Sequence, residues 1–216
     1  MNIKLCIAVY LLLSFFNLGA VSDVVNEQKK SFGIIEADMR NISEFQENGV
    51  KLQYKTREGA KEEIDRIKKQ LNCNIDGTYK EINRNQFQIL KGDFHIDIKT
   101  WEENKYNYFE IILVNKNPKY TTLYLKDMLK KIEDEKLYDT QYFLYYNGKK
   151  AKGDINYYLD KLLNEDGVQK TNILEITNGY AGTGNLRNGE RFNFALIKYD
   201  TGSNIIIGTP TIFELY

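Results

Sequence analysis

The sequence predicts an α+β fold made of two pseudo-repeated units, each running helix–strand–helix–strand–strand–strand, with antiparallel sheets that carry their helices on one face. Three patterns lead there. Short stretches alternate apolar and polar residues as half-buried strands do, for example Phe94, Ile96 and Ile98. Longer stretches repeat apolar residues at three- and four-residue spacing, as at Leu125, Met128, Leu129 and Ile132. The two halves also run nearly in register. Asn48-Gly49 and Asn147-Gly148 lie 99 positions apart, and Phe94, Ile96, Ile98 and Trp101 match Phe192, Phe194, Leu196 and Tyr199 at a constant offset of 98.

In the first unit, residues 23–117, the stretch Val24–Phe32 stands where an opening helix belongs. Ile35, Ala37 and Met39 then alternate as a strand, Asn48-Gly49 reads as a tight turn, and Val50, Leu52 and Tyr54 alternate again. A helix is expected over about Glu58–Leu71, with Ala60, Ile64, Ile67 and Leu71 on one face and Glu62-Glu63 on the solvent side. Strands follow at Gln86–Leu90, around Phe94–Ile98, and at Tyr106–Val114. The second unit, residues 118–216, opens with a helix over Thr122–Glu133 capped by Thr121 or Thr122. A strand at Gln141–Tyr146 runs into the second Asn-Gly turn. Next come a helix over Asp154–Asn164, with Ile155, Tyr158, Leu159 and Leu162 aligned, and strands at Ile173–Ile176, around Phe192–Leu196, and from Asn204 to the end.

The first 22 residues read as a secretory signal. One lysine, Lys4, precedes a nearly unbroken apolar run from Leu5 to Leu18, small residues follow at Gly19–Ser22, and charge begins at Asp23. The alternative is an uncleaved membrane anchor through residues 5–21, although a spanning helix needs roughly 20 apolar residues. Export implies a secreted or cell-wall-associated protein. Removing residues 1–22 leaves 194 of the 216 residues, long enough to bury a core without staples, and a net charge near −1. No basic excess exists to neutralise phosphates, the main affinity term for nucleic acid. The remaining cysteine, Cys73, has no disulfide partner within the chain, and one histidine with one cysteine does not make a typical zinc site. No metal or cofactor is expected.

No catalytic constellation emerges either. Gly182-Thr183-Gly184-Asn185 lacks the Lys-Ser/Thr ending of a phosphate cradle and reads as a flexible loop between strands. His95 lies in an alternating strand and should share a polar face with Asp97 and Lys99. A Cys73–His95 nucleophile pair requires the two to meet in space. Glu62-Glu63 and Glu102-Glu103 are adjacent in sequence, so their side chains diverge and do not face each other across a cleft. The aromatic runs at Tyr106–Phe109, Tyr142–Tyr146 and Tyr157-Tyr158 serve core packing and cross-strand pairing first. Trp101, Tyr180 and Tyr199 are the candidate binding-surface residues, placed on a sheet face that helices leave partly open.

The C-terminal motifs Asn188-Gly189-Glu190-Arg191-Phe192-Asn193-Phe194, Ile207-Gly208-Thr209-Pro210 and Glu214-Leu215-Tyr216, with Asn178-Gly179-Tyr180 upstream, resemble the YwmB-like family of exported proteins from spore-forming Gram-positive bacteria. The Ala181–Gly184 stretch departs from the Ser-Pro-type turn expected there. The resemblance implies a fold like that of the TATA-box-binding protein and carries over no catalytic residue or cofactor; shared shape does not transfer function. The expectation is a non-enzymatic envelope module that binds another envelope protein or a wall glycan. The alternatives are a wall-active hydrolase or its regulator, and an extracellular nucleic-acid binder.

Overall fold

The computed structural model describes residues 25–72, 77–150, 155–164 and 168–213. The expected signal at 1–22, both cysteines and the terminal Glu214-Leu215-Tyr216 lie outside the described residues. The order is α1 (Val25–Ile42), β1 (Glu44–Thr56), α2 (Ala60–Asn72), β2 (Thr78–Asn83), β3 (Gln86–Lys91), β4 (Phe94–Glu103), β5 (Tyr106–Asn115), α3 (Thr122–Lys130), β6 (Tyr138–Lys150), α4 (Ile155–Leu163), β7 (Val168–Ile176), β8 (Gly179–Leu186), β9 (Arg191–Tyr199) and β10 (Gly202–Thr209). All ten strands join one antiparallel sheet, ordered β2-β3-β4-β5-β1-β6-β10-β9-β8-β7. The chain is therefore α+β, with β1 and β6 paired at the centre and each half supplying five strands. Among the described residues no helix is long and apolar enough to cross a membrane.

Strand alternation sends one set of side chains to the helices. Val50, Leu52 and Tyr54 of β1, Ile96 and Ile98 of β4, Ile111 and Leu113 of β5, and Phe192, Phe194 and Leu196 of β9 are buried in one core. The helices complete it with Phe32, Ile35 and Met39 of α1, Ile67 and Leu71 of α2, Leu125 and Leu129 of α3, and Tyr158 and Leu162 of α4. Thr121 caps α3: its hydroxyl accepts from the Tyr124 N–H at 3.2 Å.

Several expectations are corrected. Ile35, Ala37 and Met39 lie in α1, not in a strand. Phe32, Ile35 and Met39 share the buried stripe of a helix while Ala37 is exposed, so the apparent alternation is part of a 3.6-residue period. Neither Asn-Gly pair forms a turn; both lie inside the central strands β1 and β6. Their glycines serve close packing. A Cβ at Gly49 would fall 2.2 Å from the Tyr145 ring, and one at Gly148 would fall 2.2 Å from Ser43 Oγ. The Asn48 amide is taken up by a buried network: it donates to Tyr120 O at 3.0 Å, Thr122 Oγ1 at 3.2 Å and Glu36 Oε1 at 3.3 Å, and accepts from Asn115 Nδ2 at 2.8 Å.

Each half also carries four strands after its second helix, not three. The unforeseen β2 is an edge strand exposed along its whole length, so it has no apolar alternation to reveal it. The unforeseen β8 contains the Gly182–Asn185 stretch read as a loop. Its glycines are strand positions because rings from β9 occupy the space above them: a Cβ at Gly182 would lie 2.4 Å from the Phe194 ring, and one at Gly184 2.6 Å from the Phe192 ring.

Candidate binding face

The side of the sheet turned away from the helices divides into an exposed half, a covered centre and a small-residue half. In the exposed half, cross-strand register builds a row across four strands: Trp101 of β4 opposes Tyr108 of β5, Tyr108 opposes Lys55 of β1, and Lys55 opposes Tyr138 of β6. Three strand spacings make it about 14 Å wide. Trp101 and Tyr108 stack with centroids 5.5 Å apart and planes 9° apart, and Tyr106 meets Tyr138 edge-on at 6.1 Å. Lys55 Nζ sits 4.9 Å from the Tyr106 ring centre, and Arg57 Nη2 donates to Tyr106 Oη at 2.8 Å. Lys55 also pairs with Asp139 at 2.5 Å, and this hydrogen bond raises its pKa. Trp101 and Tyr138 remain 42% and 45% exposed.

Beyond the row, toward the start of β4, the face is a charged lattice. Gln53 Nε2 donates to Glu110 Oε2 at 2.7 Å, Lys51 lies 3.7 Å from the same carboxylate, and Lys99 lies 3.9 Å from both Glu110 and Asp97. At the far end, about 20 Å away over six residues of strand, a half-open depression of about 470 Å³ is lined by Glu47, Asp93, His95, Val114, Lys116 and Tyr145, among others. His95 is exposed and shares this face with Asp97 and Lys99, as expected. Its pairing with Cys73 lies outside the described residues.

The centre of the face is not open. After Thr209 the chain turns back at a cis Thr209–Pro210 bond, and residues 210–213 cross the central strands. The Phe213 ring meets Tyr145 edge-on at 4.9 Å, Lys51 Nζ lies 4.3 Å from the Phe143 ring centre and 5.5 Å from that of Phe213, and Ile212 occupies the space beside Gly208. Phe143, Tyr145 and Ile206 are therefore buried although they point away from the helices.

The three residues singled out in the sequence do not come together. Trp101 and Tyr199 share this face but sit on β4 and β9, five strand spacings or about 24 Å apart across the sheet. Tyr180 of β8 faces the helices, where its hydroxyl donates to Asn156 Oδ1 of α4 at 2.8 Å. The partners of Trp101 in the row, Tyr108, Lys55 and Tyr138, become visible only once strand register is known, because Tyr138 and Trp101 are 37 positions apart.

Glu63 corrects the expectation of a solvated Glu62-Glu63 pair. Glu62 is exposed, whereas Glu63 is 2% exposed on the helix side. Its carboxylate accepts from Tyr54 Oη at 2.5 Å and from Arg66 Nη2 and Nε at 2.6 and 2.7 Å. Arg66 continues to Ile132 O at 2.5 Å and to Asp134 at 3.2 Å, tying α2 to the segment after α3. Burial first, then the Glu63 carboxylate, push the Tyr54 hydroxyl well above its usual range. Both oxygens of this carboxylate accept from local donors, so it acts as a structural tie. Glu102 and Glu103 are exposed at the end of β4, and among the described residues no cluster of His, Cys, Asp and Glu has metal-binding geometry.

No protein-family model matches the chain, and a search of the curated proteins returns no match.

Proposed function

We propose that the chain is an exported, non-enzymatic module of the cell envelope that binds a wall glycan through the sheet face opposite the helices. The observation that carries this reading is the row Trp101–Tyr108–Lys55–Tyr138. Trp101 and Tyr138 stand exposed and Tyr108 half-buried beside Lys55 and Arg57, rings with an apolar body and a polar tip on a surface suited to sugar rings and their hydroxyl groups. The N-terminal sequence supports export. The strand order supports the two-copy reading: counted outward from the β1–β6 centre, each half places its last strand first and its edge strand outermost. That symmetry, with the C-terminal motifs, is the support for a YwmB-like chain with a TATA-box-binding-protein-like shape.

The test is retention on isolated cell walls and on a glycan array. Trp101→Ala with Tyr108→Ala should weaken retention about tenfold or more, while Tyr199→Ala leaves it unchanged. A folded protein that neither walls nor glycans retain overturns the glycan reading, and capture of an envelope protein by the same row would replace it. A second reading, a wall-active hydrolase, draws on the depression that His95, Glu47 and Asp93 help to line. Muropeptide turnover that is lost in Glu47→Gln and kept in the Trp101 variant would favour it. The near-zero net charge and the pairing of Lys55 with Asp139 disfavour nucleic acid.

A further inference from the structure

The ten-strand sheet ends on β2 at one side and β7 at the other, and the two edges differ. Edge strands present unpaired backbone N–H and C=O groups, and charges or coverage normally guard them. On β2, Lys80 and Glu81 occupy the middle, Tyr79 leans on Phe87 with ring centres 5.3 Å apart, and Lys68 Nζ lies 4.2 Å over the Tyr79 ring. β2 exposes Ile82 as well, but beyond this central charged pair, whereas the middle of β7 is apolar. Beyond the irregularity between Gln169 and Asn172, with Lys170 at φ 50°, a regular run Asn172-Ile173-Leu174-Glu175-Ile176 pairs with β8 on one side alone among the described residues. Leu174 is 65% exposed and Ile173 is 43% exposed, and adjacent strand residues point to opposite faces, so this edge is apolar on both sides of the sheet.

We propose that β7 pairs antiparallel with β7 of a second copy of this chain, joining two ten-strand sheets into one continuous sheet about a two-fold axis. The regular run sets the register. Its midpoint is Leu174, so self-pairing places Leu174 against its own symmetry mate, Ile173 against Glu175 and Asn172 against Ile176. No like charges meet, and the one carboxylate faces an aliphatic side chain. A two-fold contact needs a self-complementary patch, and this run supplies one. The helix α4 packs beneath β7 and β9, so joining the edges places the two copies of α4 on the same side of the continuous sheet. The short strand makes the association weak and concentration-dependent.

Sedimentation equilibrium of the full chain over a wide concentration range tests this, with Leu174→Lys and Tyr79→Lys as paired variants and circular dichroism as the check on folding. A monomer–dimer equilibrium is expected, with its dissociation constant raised at least tenfold in Leu174→Lys and unchanged in Tyr79→Lys. Leu174→Cys should form a reducible covalent dimer under mild oxidation, and Tyr79→Cys should not. A monomer at every concentration overturns the proposal, as does a dimer that Leu174→Lys leaves intact. A monomer that captures an extended apolar peptide at β7 also overturns it, in favour of strand donation by another protein.

Discussion

The two halves of the sheet use the same strand order yet fill some of their helix-facing positions differently. In the N-terminal half, Phe87 opposes Ile98 and Ile89 opposes Ile96, so β3 and β4 each bring a large side chain. In the C-terminal half Gly184 opposes Phe192 and Gly182 opposes Phe194, so at these two positions β8 brings no side chain and β9 brings two rings, whereas one step further along Tyr180 opposes Leu196 and both strands contribute. A ring laid over a glycine takes the space that a side chain on β8 would need, so β9 alone fills these two positions. The opposite face diverges more widely. Its N-terminal half carries Trp101, Tyr108, Lys99 and Glu110, whereas its C-terminal half carries Ala181, Thr183, Ala195 and Asn204.

The largest break in this comparison should come from Phe194→Ala, which removes the ring and leaves Gly182 bare beneath it. A loss of about 3–5 kcal/mol is expected, against about 2–4 kcal/mol for Ile96→Ala, where Ile89 still fills part of the gap. Urea unfolding of both variants measures the difference, and equal losses would mean that the two halves pack alike.

Gly182→Ala should cost less, about 1–3 kcal/mol, because its Cβ meets both the Phe194 ring and Asn172 O at 2.6 Å. Combining it with Phe194→Leu should recover part of that loss, whereas simple additivity would separate the glycine from the ring above it.

The smallest effect is one of pH and concerns the N-terminal half. Tyr54 has its pKa raised in the folded chain, so its contribution to stability is complete below the ordinary tyrosine value of 10.0 and is lost as pH climbs past it toward the folded value. Thermal melts between pH 8 and 11 should show stability falling from about pH 10, and Tyr54→Phe should flatten that fall while lowering stability at pH 8. An unchanged alkaline slope in Tyr54→Phe would assign the fall to the other shifted phenols, Tyr142 and Tyr146.

Legibility in the sequence followed burial. The strands around Phe94–Ile98, Tyr106–Val114 and Phe192–Leu196 and the helices α2, α3 and α4 were readable because one face of each meets the core and the other meets water, which writes a period into the residues. The stretch 35–39 misled because Ile35 and Met39, four residues apart, fit a helical stripe as well as a strand alternation, while Ala37 between them lies exposed on the other side of the helix. β2 and β8 were hidden for opposite reasons, one being exposed throughout and the other having its helix-facing space filled by rings from β9. Trp101 was recognisable as a strand-end aromatic, but not as one member of a four-strand row.

The sequence by itself determined the α+β class, the positions of the strongly amphipathic elements, and a charge balance without a basic excess. Those properties are local or additive, so a linear pattern records them. Only the tertiary structure decided that both Asn-Gly pairs lie inside strands, that Glu63 is buried, that Tyr180 faces the helices while Trp101 does not, and that residues 210–213 cover the centre of the opposite face. Each of these depends on what a distant segment places against the residue, a ring over a glycine or an arginine beside a carboxylate. Contacts of that kind have no period along the chain.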